Sequence, residues 1–262
     1  MYHPFRRLLA VVGGVVVLAS AGPVSAQLPE SPFRNVDPIS LSLDSLNRGG
    51  VWTLNFAYMT PRIITLDVPG KGKQTVWYMP FYVYNKTGQP RTIFPEFELV
   101  TKDPDGVLMS SLDEPHPSVV DAIKEIEDPH KKLDYLTTIS ISKLKIPVAK
   151  PDTYPQSQAI HGIAVWLDVP AKANPNNFSV YVTGLSDGLA KKEMEDKAKG
   201  ETRVLVSKKT LKLDFRRPVS ASVSRTDDIQ VNDNNGLGSE QWIYREATIS
   251  TKKAPAPAEE KK

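Results

Sequence analysis

Cysteine is absent from the 262-residue sequence. That excludes a disulfide framework, a thiolate metal centre, a cysteine nucleophile and a lipid-modified N-terminal cysteine. Histidine is scarce, with four in the chain, so imidazole chemistry has few places to sit. A dominant charge of one sign is also missing. The net charge is +3, which gives no electrostatic case for nucleic acid or an anionic membrane as the main partner. Beyond residue 26 no apolar run approaches the roughly 20 residues that a membrane span needs.

The N-terminus carries the strongest pattern. Arg6 and Arg7 are followed by an uncharged apolar run, Leu8 to Ala19, and then by Val24-Ser25-Ala26. A short basic region, a short apolar core and small residues at the cleavage positions make a secretory signal peptide, with the cut expected after Ala26. Loss of Arg6 and Arg7 leaves a mature chain near +1. The expected organisation is signal peptide 1–26, flexible linker 27–50, β-sandwich 51–251 and disordered tail 252–262. The linker reading rests on Pro29, Pro32, Pro38 and Gly49-Gly50, and the tail reading on the Pro-, Ala- and charge-rich end.

Between the ends the apolar period is two. Trp52, Leu54, Phe56 and Tyr58 alternate, as on one face of a strand. Arg62–Val68, Val76–Asn85 and Thr92–Thr101 follow as strands separated by Gly- and Asp-bearing turns. Val76–Asn85 is apolar on both faces, and Pro80 inside it argues for an edge or a bulge. A helix is expected after Ser118, capped by that serine with Asp121, carrying Val119, Ala122, Ile123 and Ile126 and ending at Asp128-Pro129. Further strands are expected at Leu136–Ile141, Ala159–Val169, Phe178–Thr183, Lys208–Phe215 and Gln241–Ser250, with a charged helix at Leu189–Lys199. Many strands and few helices point to an antiparallel β-sandwich with one or two short inserted helices. Leu66-Asp67-Val68-Pro69 recurs as Leu167-Asp168-Val169-Pro170. This leaves open a duplication into two small sandwiches, or two strands that end alike.

The motifs VWYMPFYVYNKTG, FPEFELVT, AIHGIAVWLDV, VYVTGLSDG, KTLKLDF and WIYR together resemble an uncharacterised group of secreted proteins of planctomycete-type bacteria, over Val51 to Arg245. That resemblance implies export and a shared fold, and it carries no assigned activity. A tyrosine-rich strand ending in an Asn-x-Thr-Gly turn is also similar to immunoglobulin-like envelope modules, a likeness of fold only.

Gly184-Leu185-Ser186-Asp187-Gly188 matches the G-x-S-x-G elbow of serine hydrolases. A hydrolase needs a histidine base, which in elbow-bearing α/β-hydrolases follows the serine. Here His116, His130 and His161 all precede Ser186, and His3 lies in the signal. Ser186 is therefore expected as a turn residue. Asp113, Glu114 and His116 with His130 lack a spacing that fixes metal ligands on one face, and His161 fits a core or edge position. Asp103 and Asp105 begin like a calcium loop but meet Val107 and Leu108, with Glu114 at position twelve. Asn232, Asn234 and Gly236 fail similarly at Ile243. A cation site at Asp227, Asp228 and Asp233 stays open. Tyr78, Tyr82 and Tyr84 share one parity, and Trp77, Phe81 and Val83 the other. One set must face the core, and the other either lines a platform for sugar or peptide or lies under a second layer such as the Ser118 helix.

The expectation is an exported, secreted or periplasmic, non-enzymatic envelope protein, with no catalytic residue, metal or cofactor. It acts by binding or as a structural component, with an envelope protein or polysaccharide as partner. The alternatives are a carbohydrate- or peptide-binding module using an exposed aromatic strand and, more remotely, a serine hydrolase at Ser186.

Overall fold

The computed structural model describes residues 31–38, 50–102, 106–151, 155–167, 169, 177–196, 201–217, 229–236 and 238–253. The chain is mainly β, in two sheets. The first contains β1 (Arg34–Val36), β2 (Asn55–Tyr58), β3 (Arg62–Val68), β4 (Gly72–Tyr84), β7 (Leu136–Thr137) and β8 (Ile160–Trp166). The second contains β5 (Glu96–Lys102), β6 (Leu108–Leu112), β9 (Asn177–Thr183), β10 (Leu189–Asp196), β11 (Glu201–Arg216), β12 (Gln230–Val231) and β13 (Glu240–Lys253). The pairings are antiparallel except for β7 with β8. Two α-helices, α1 (Pro117–Glu127) and α2 (Thr138–Ser142), and a 3-10 helix, Pro155–Gln158, complete the described elements.

The alternation of apolar residues turns one face of each sheet toward the other. Phe56, Trp77, Met79, Phe81 and Val83 of the first sheet share a buried cluster with Phe97, Leu99, Phe178, Val180, Leu211 and Phe215 of the second. Phe81 and Phe97 meet with ring centroids 4.5 Å apart, and Trp77 and Phe178 at 5.4 Å. The outer face of β4 is covered as well. Val119, Val120 and Ile123 of α1 pack with Val76 and Tyr78 of β4 and with Ile163 and Val165 of β8. Tyr82 and Tyr84 lie under Phe33, Ala149 and Ala159.

Pro80 sits in a central strand, not at an edge or bulge. β4 pairs with β8 on one side and with β2 and β3 in succession on the other. The Pro80 carbonyl accepts a bond from Met59 N at 2.9 Å. The carbonyl and the N–H of a strand residue point to the same neighbour, so the missing N–H faces Met59, at the end of β2, and the one bond forgone is the reciprocal bond of that pair.

Several expected elements differ. Leu189–Asp196 is a strand, not the charged helix. Its eight residues pair with β11 from Lys208 back to Glu201, and that pairing outweighs the modest helical preference of its Ala, Lys and Glu residues. Leu136–Ile141 keeps only two strand residues, because Thr137 caps α2 by accepting a bond from Ser140 N at 3.0 Å. The N-cap of α1 is His116, with Pro117 in the first turn, so Ser118 lies inside the helix. Ile126 is exposed and Val120 is buried in its place. Arg34–Val36, inside the expected linker, pair with β2, and β13 runs to Lys253, just into the expected tail. The two Leu-Asp-Val-Pro copies do not build separate sandwiches. Val68 and Leu167 share one cluster, and each sheet takes strands from both halves of the chain.

Gly162 shows how closely the layers approach. A Cβ there would lie 2.3 Å from Phe81 Cζ and 2.8 Å from Ile141 Cδ1, and both side chains are fully buried. Gly162→Ala is expected to cost about 1–3 kcal/mol of stability by overpacking, measured by urea unfolding. A neutral substitution would contradict this packing.

Candidate functional site

The turn Gly184–Gly188 joins β9 to β10 and is stitched to the segment before β2. Leu54 N donates to Leu185 O at 2.9 Å, and the Leu185 side chain is fully buried in the core. Trp52 N donates to Asp187 Oδ1 at 2.8 Å. The Ser186 hydroxyl donates to Trp52 O at 2.6 Å and accepts from Thr53 Oγ1 at 3.1 Å and Gly188 N at 3.2 Å. Behind it, Lys209 Nζ donates to Thr53 Oγ1 at 3.1 Å and lies 5.1 Å from the Trp242 ring centre. Gly184 has φ +81, and a Cβ there would lie 2.1 Å from Phe94 O, so no other residue fits without moving the backbone.

This geometry differs from a nucleophile elbow in two respects. The element after the turn is strand β10, whereas an elbow leads into a helix. The Ser186 proton is directed at a main-chain carbonyl, whereas an elbow directs it at an imidazole. Sequence spacing places Ser186 correctly in a tight turn after a strand but cannot show which way its hydroxyl points.

The other candidates are dispersed. His116 and His130 lie at opposite ends of the eleven-residue α1, which at 1.5 Å per residue separates them by roughly 16 Å or more. His161 is buried among Phe33, Tyr82 and Tyr135, and burial lowers its pKa. Among the described residues no group of three His, Asp or Glu is arranged to hold a metal ion. Asp103, Asp105, Asp227 and Asp228 lie outside the described residues, while Asp233 is exposed. Asn234 donates to the buried carboxylate of Asp214 at 2.7 Å, which anchors the Asn232–Gly238 segment as a polar turn. The β4 aromatics are not an open platform. Tyr78 and Tyr82 are 1% exposed and Tyr84 is 8% exposed, because α1 and Phe33 cover that face.

Asp113 joins the layers. Its N–H donates to Phe97 O in the second sheet, and its carboxylate accepts from Val165 N at 2.6 Å in the first and from the Thr138 hydroxyl.

Besides a charged cavity of about 460 Å3 along α1 and the turn after it, lined by Asp121, Lys124, Asp128 and Lys132 among others, an open concavity lies beside Ser186, on the solvent side of the second sheet. A cleft of about 390 Å3 is lined by Trp52, Phe94, Glu96, Ser186, Leu189 and Lys208, among others. Phe94 is 72% exposed and Leu189 48%. A second depression of about 330 Å3 shares Glu96, Thr183 and Lys208 with it and continues to Glu98, Arg245 and Glu246. Arg245 bonds Glu98 and lies 4.2 Å from the Tyr181 ring centre. The guanidinium bond, helped by Ser110, holds the Glu98 carboxyl below its ordinary pKa. The two depressions make one groove, apolar at the Phe94 end and charged at the Arg245 end. No sequence motif marks this groove, because its residues come from five strands and the segments around Trp52 and Phe94. The local signal was Phe94 before Pro95, a large apolar residue out of phase with the core positions Ile93 and Phe97. Comparison with protein-family models, curated proteins and solved structures returns no match.

Burial raises the Asp113 pKa from 3.8 to about 6. A carboxyl whose pKa is higher folded than unfolded contributes stability at low pH and loses that contribution as pH rises through the folded value. Wild type should therefore lose about 2 kcal/mol relative to Asp113→Asn between pH 4 and pH 7, after allowance for solvent screening. Urea unfolding of both proteins at the two pH values measures this, and a pH-independent difference would contradict it.

Proposed function

We propose that the chain is an exported, non-enzymatic protein of the cell envelope, built on an immunoglobulin-like β-sandwich, that works by binding through the groove beside Ser186. Support for binding comes from a concavity of ligand size whose apolar end leaves Phe94 in solvent. Support against catalysis comes from one observation above the rest. The Ser186 hydroxyl, the natural nucleophile of that groove, donates its proton to Trp52 O and serves as a strut of the turn. Support for the fold reading comes from two sheets facing each other across a shared aromatic core. The signal-like first 26 residues and the resemblance to secreted planctomycete-type proteins support export. Among the described residues no helix is long and apolar enough to cross a membrane.

Two measurements test the proposal. The exported protein should have an intact mass that begins at Gln27, and retention of Met1 would overturn export by signal cleavage. A fluorophosphonate probe should leave Ser186 unlabelled, and Ser186→Ala should lose about 1–2 kcal/mol of stability through its hydrogen bonds. Labelling that disappears in Ser186→Ala would make the chain a hydrolase.

A further inference from the structure

Resting on the binding role just proposed, we propose a ligand class for the groove: an extended peptide segment that carries a large apolar side chain two residues from a lysine or arginine. The apolar end supplies the first half of this recognition. Phe94 stands out from the sheet at 72% exposure, with Leu189 at 48% on the other wall and Trp52 in the same lining. Trp52 already has the Arg91 guanidinium 4.8 Å from its ring centre, which leaves Phe94 as the exposed contact for an incoming apolar group. A cleft of about 390 Å3 holds one large side chain with neighbouring backbone.

Charge supplies the second half. Arg245 is engaged by Glu98 and by the Tyr181 ring. What the groove then presents is Glu96, Asp187 and Glu246 against Lys208, a surplus of negative charge. Glu96 lines both depressions, so a cation there sits one step from the apolar end. Phe94 and Glu96 are exposed on either side of the buried Pro95, and side chains two residues apart on an extended ligand share a face about 6.6 Å apart, which matches an apolar residue and a basic one separated by a single residue. A neutral glycan would use the Phe94 ring but not the charge surplus.

The purified protein is immobilised and used to select from a phage-displayed library of random heptapeptides, with synthetic versions of the selected peptides measured by fluorescence anisotropy. Enriched peptides should pair Leu, Ile, Phe or Met with a Lys or Arg two residues away. Phe94→Ser should weaken them at least about tenfold, since a central aromatic anchor dominates such contacts. Glu96→Lys should weaken them about fivefold or more, with the loss shrinking as salt rises, and should shift selection toward Asp and Glu. Both positions are exposed, and an unchanged melting temperature would establish that each variant folds. Enriched peptides without a basic residue, or indifferent to Glu96→Lys, would overturn the ligand class while leaving a binding role. So would failure to enrich any peptide together with Phe94-dependent retention of neutral oligosaccharides. Absence of binding to both the peptide library and the oligosaccharides would overturn the binding role itself.

Discussion

Strand β4 is covered on both of its faces, and the rest of the molecule is arranged around that constraint. All nine residues from Val76 to Tyr84 are buried. Trp77, Met79, Phe81 and Val83 point at the second sheet and form the seam of the inter-sheet core. Val76, Tyr78, Tyr82 and Tyr84 point the other way and need a third layer. That layer explains why three of these four residues are tyrosine. A buried phenol needs a partner for its hydroxyl. Tyr78 OH finds Glu127 of α1 at 2.7 Å, and Tyr82 OH finds Asn35 of β1 at 2.8 Å. Glu127 also takes two bonds from Arg62, at 2.6 and 2.8 Å, with its side chain 3% exposed. Its charge is thus matched by a cation as well as a donor, as a buried carboxylate requires. Tyr78 thus fastens α1 down, while Tyr82 ties β4 to β1 within its own sheet.

The same combination ties the two sheets together at another point. Tyr58, on the core side of β2, donates to Glu240 of β13 at 2.6 Å, and Arg34 of β1 reaches the same carboxylate at 3.3 Å. Trp242 Nε1 donates to Asp37 O at 2.8 Å close by. Each sheet is thereby tied to the other through polar groups at the rim of an apolar core. A chain without cysteine has only such contacts and core burial to hold its layers together.

What the sequence made legible follows from local physics. Alternation marks Trp52, Leu54, Phe56 and Tyr58 as a strand, because a pleated strand puts every second residue on one face. Continuous apolarity marks β4 as covered on both sides, as it is, and the helix expected after Ser118 is one element that covers it, although it starts at Pro117. The errors fall where a distant partner decides. Leu189–Asp196 has a helix-forming composition but pairs with β11 across a hairpin. Pro80 read as an edge because the interruption in its neighbour is a matter of pairing, not of local sequence. Ser186 was correctly placed in a turn, but the partner of its hydroxyl, Trp52, is more than a hundred residues away. The groove beside it draws on β5, β9, β10, β11 and β13, and no single stretch of sequence announces a surface assembled from five strands.

The account depends most on Tyr78, on the outer face of β4, being a fastener for α1 rather than part of a ligand surface. A double-mutant cycle on Tyr78→Phe and Glu127→Gln, followed by urea unfolding, tests this most directly. A phenol–carboxylate bond in a covered layer should give a coupling of about 1–3 kcal/mol, with Tyr78→Phe destabilising on its own. A coupling within about 0.5 kcal/mol of zero, or a Tyr78→Phe variant as stable as wild type, would contradict it.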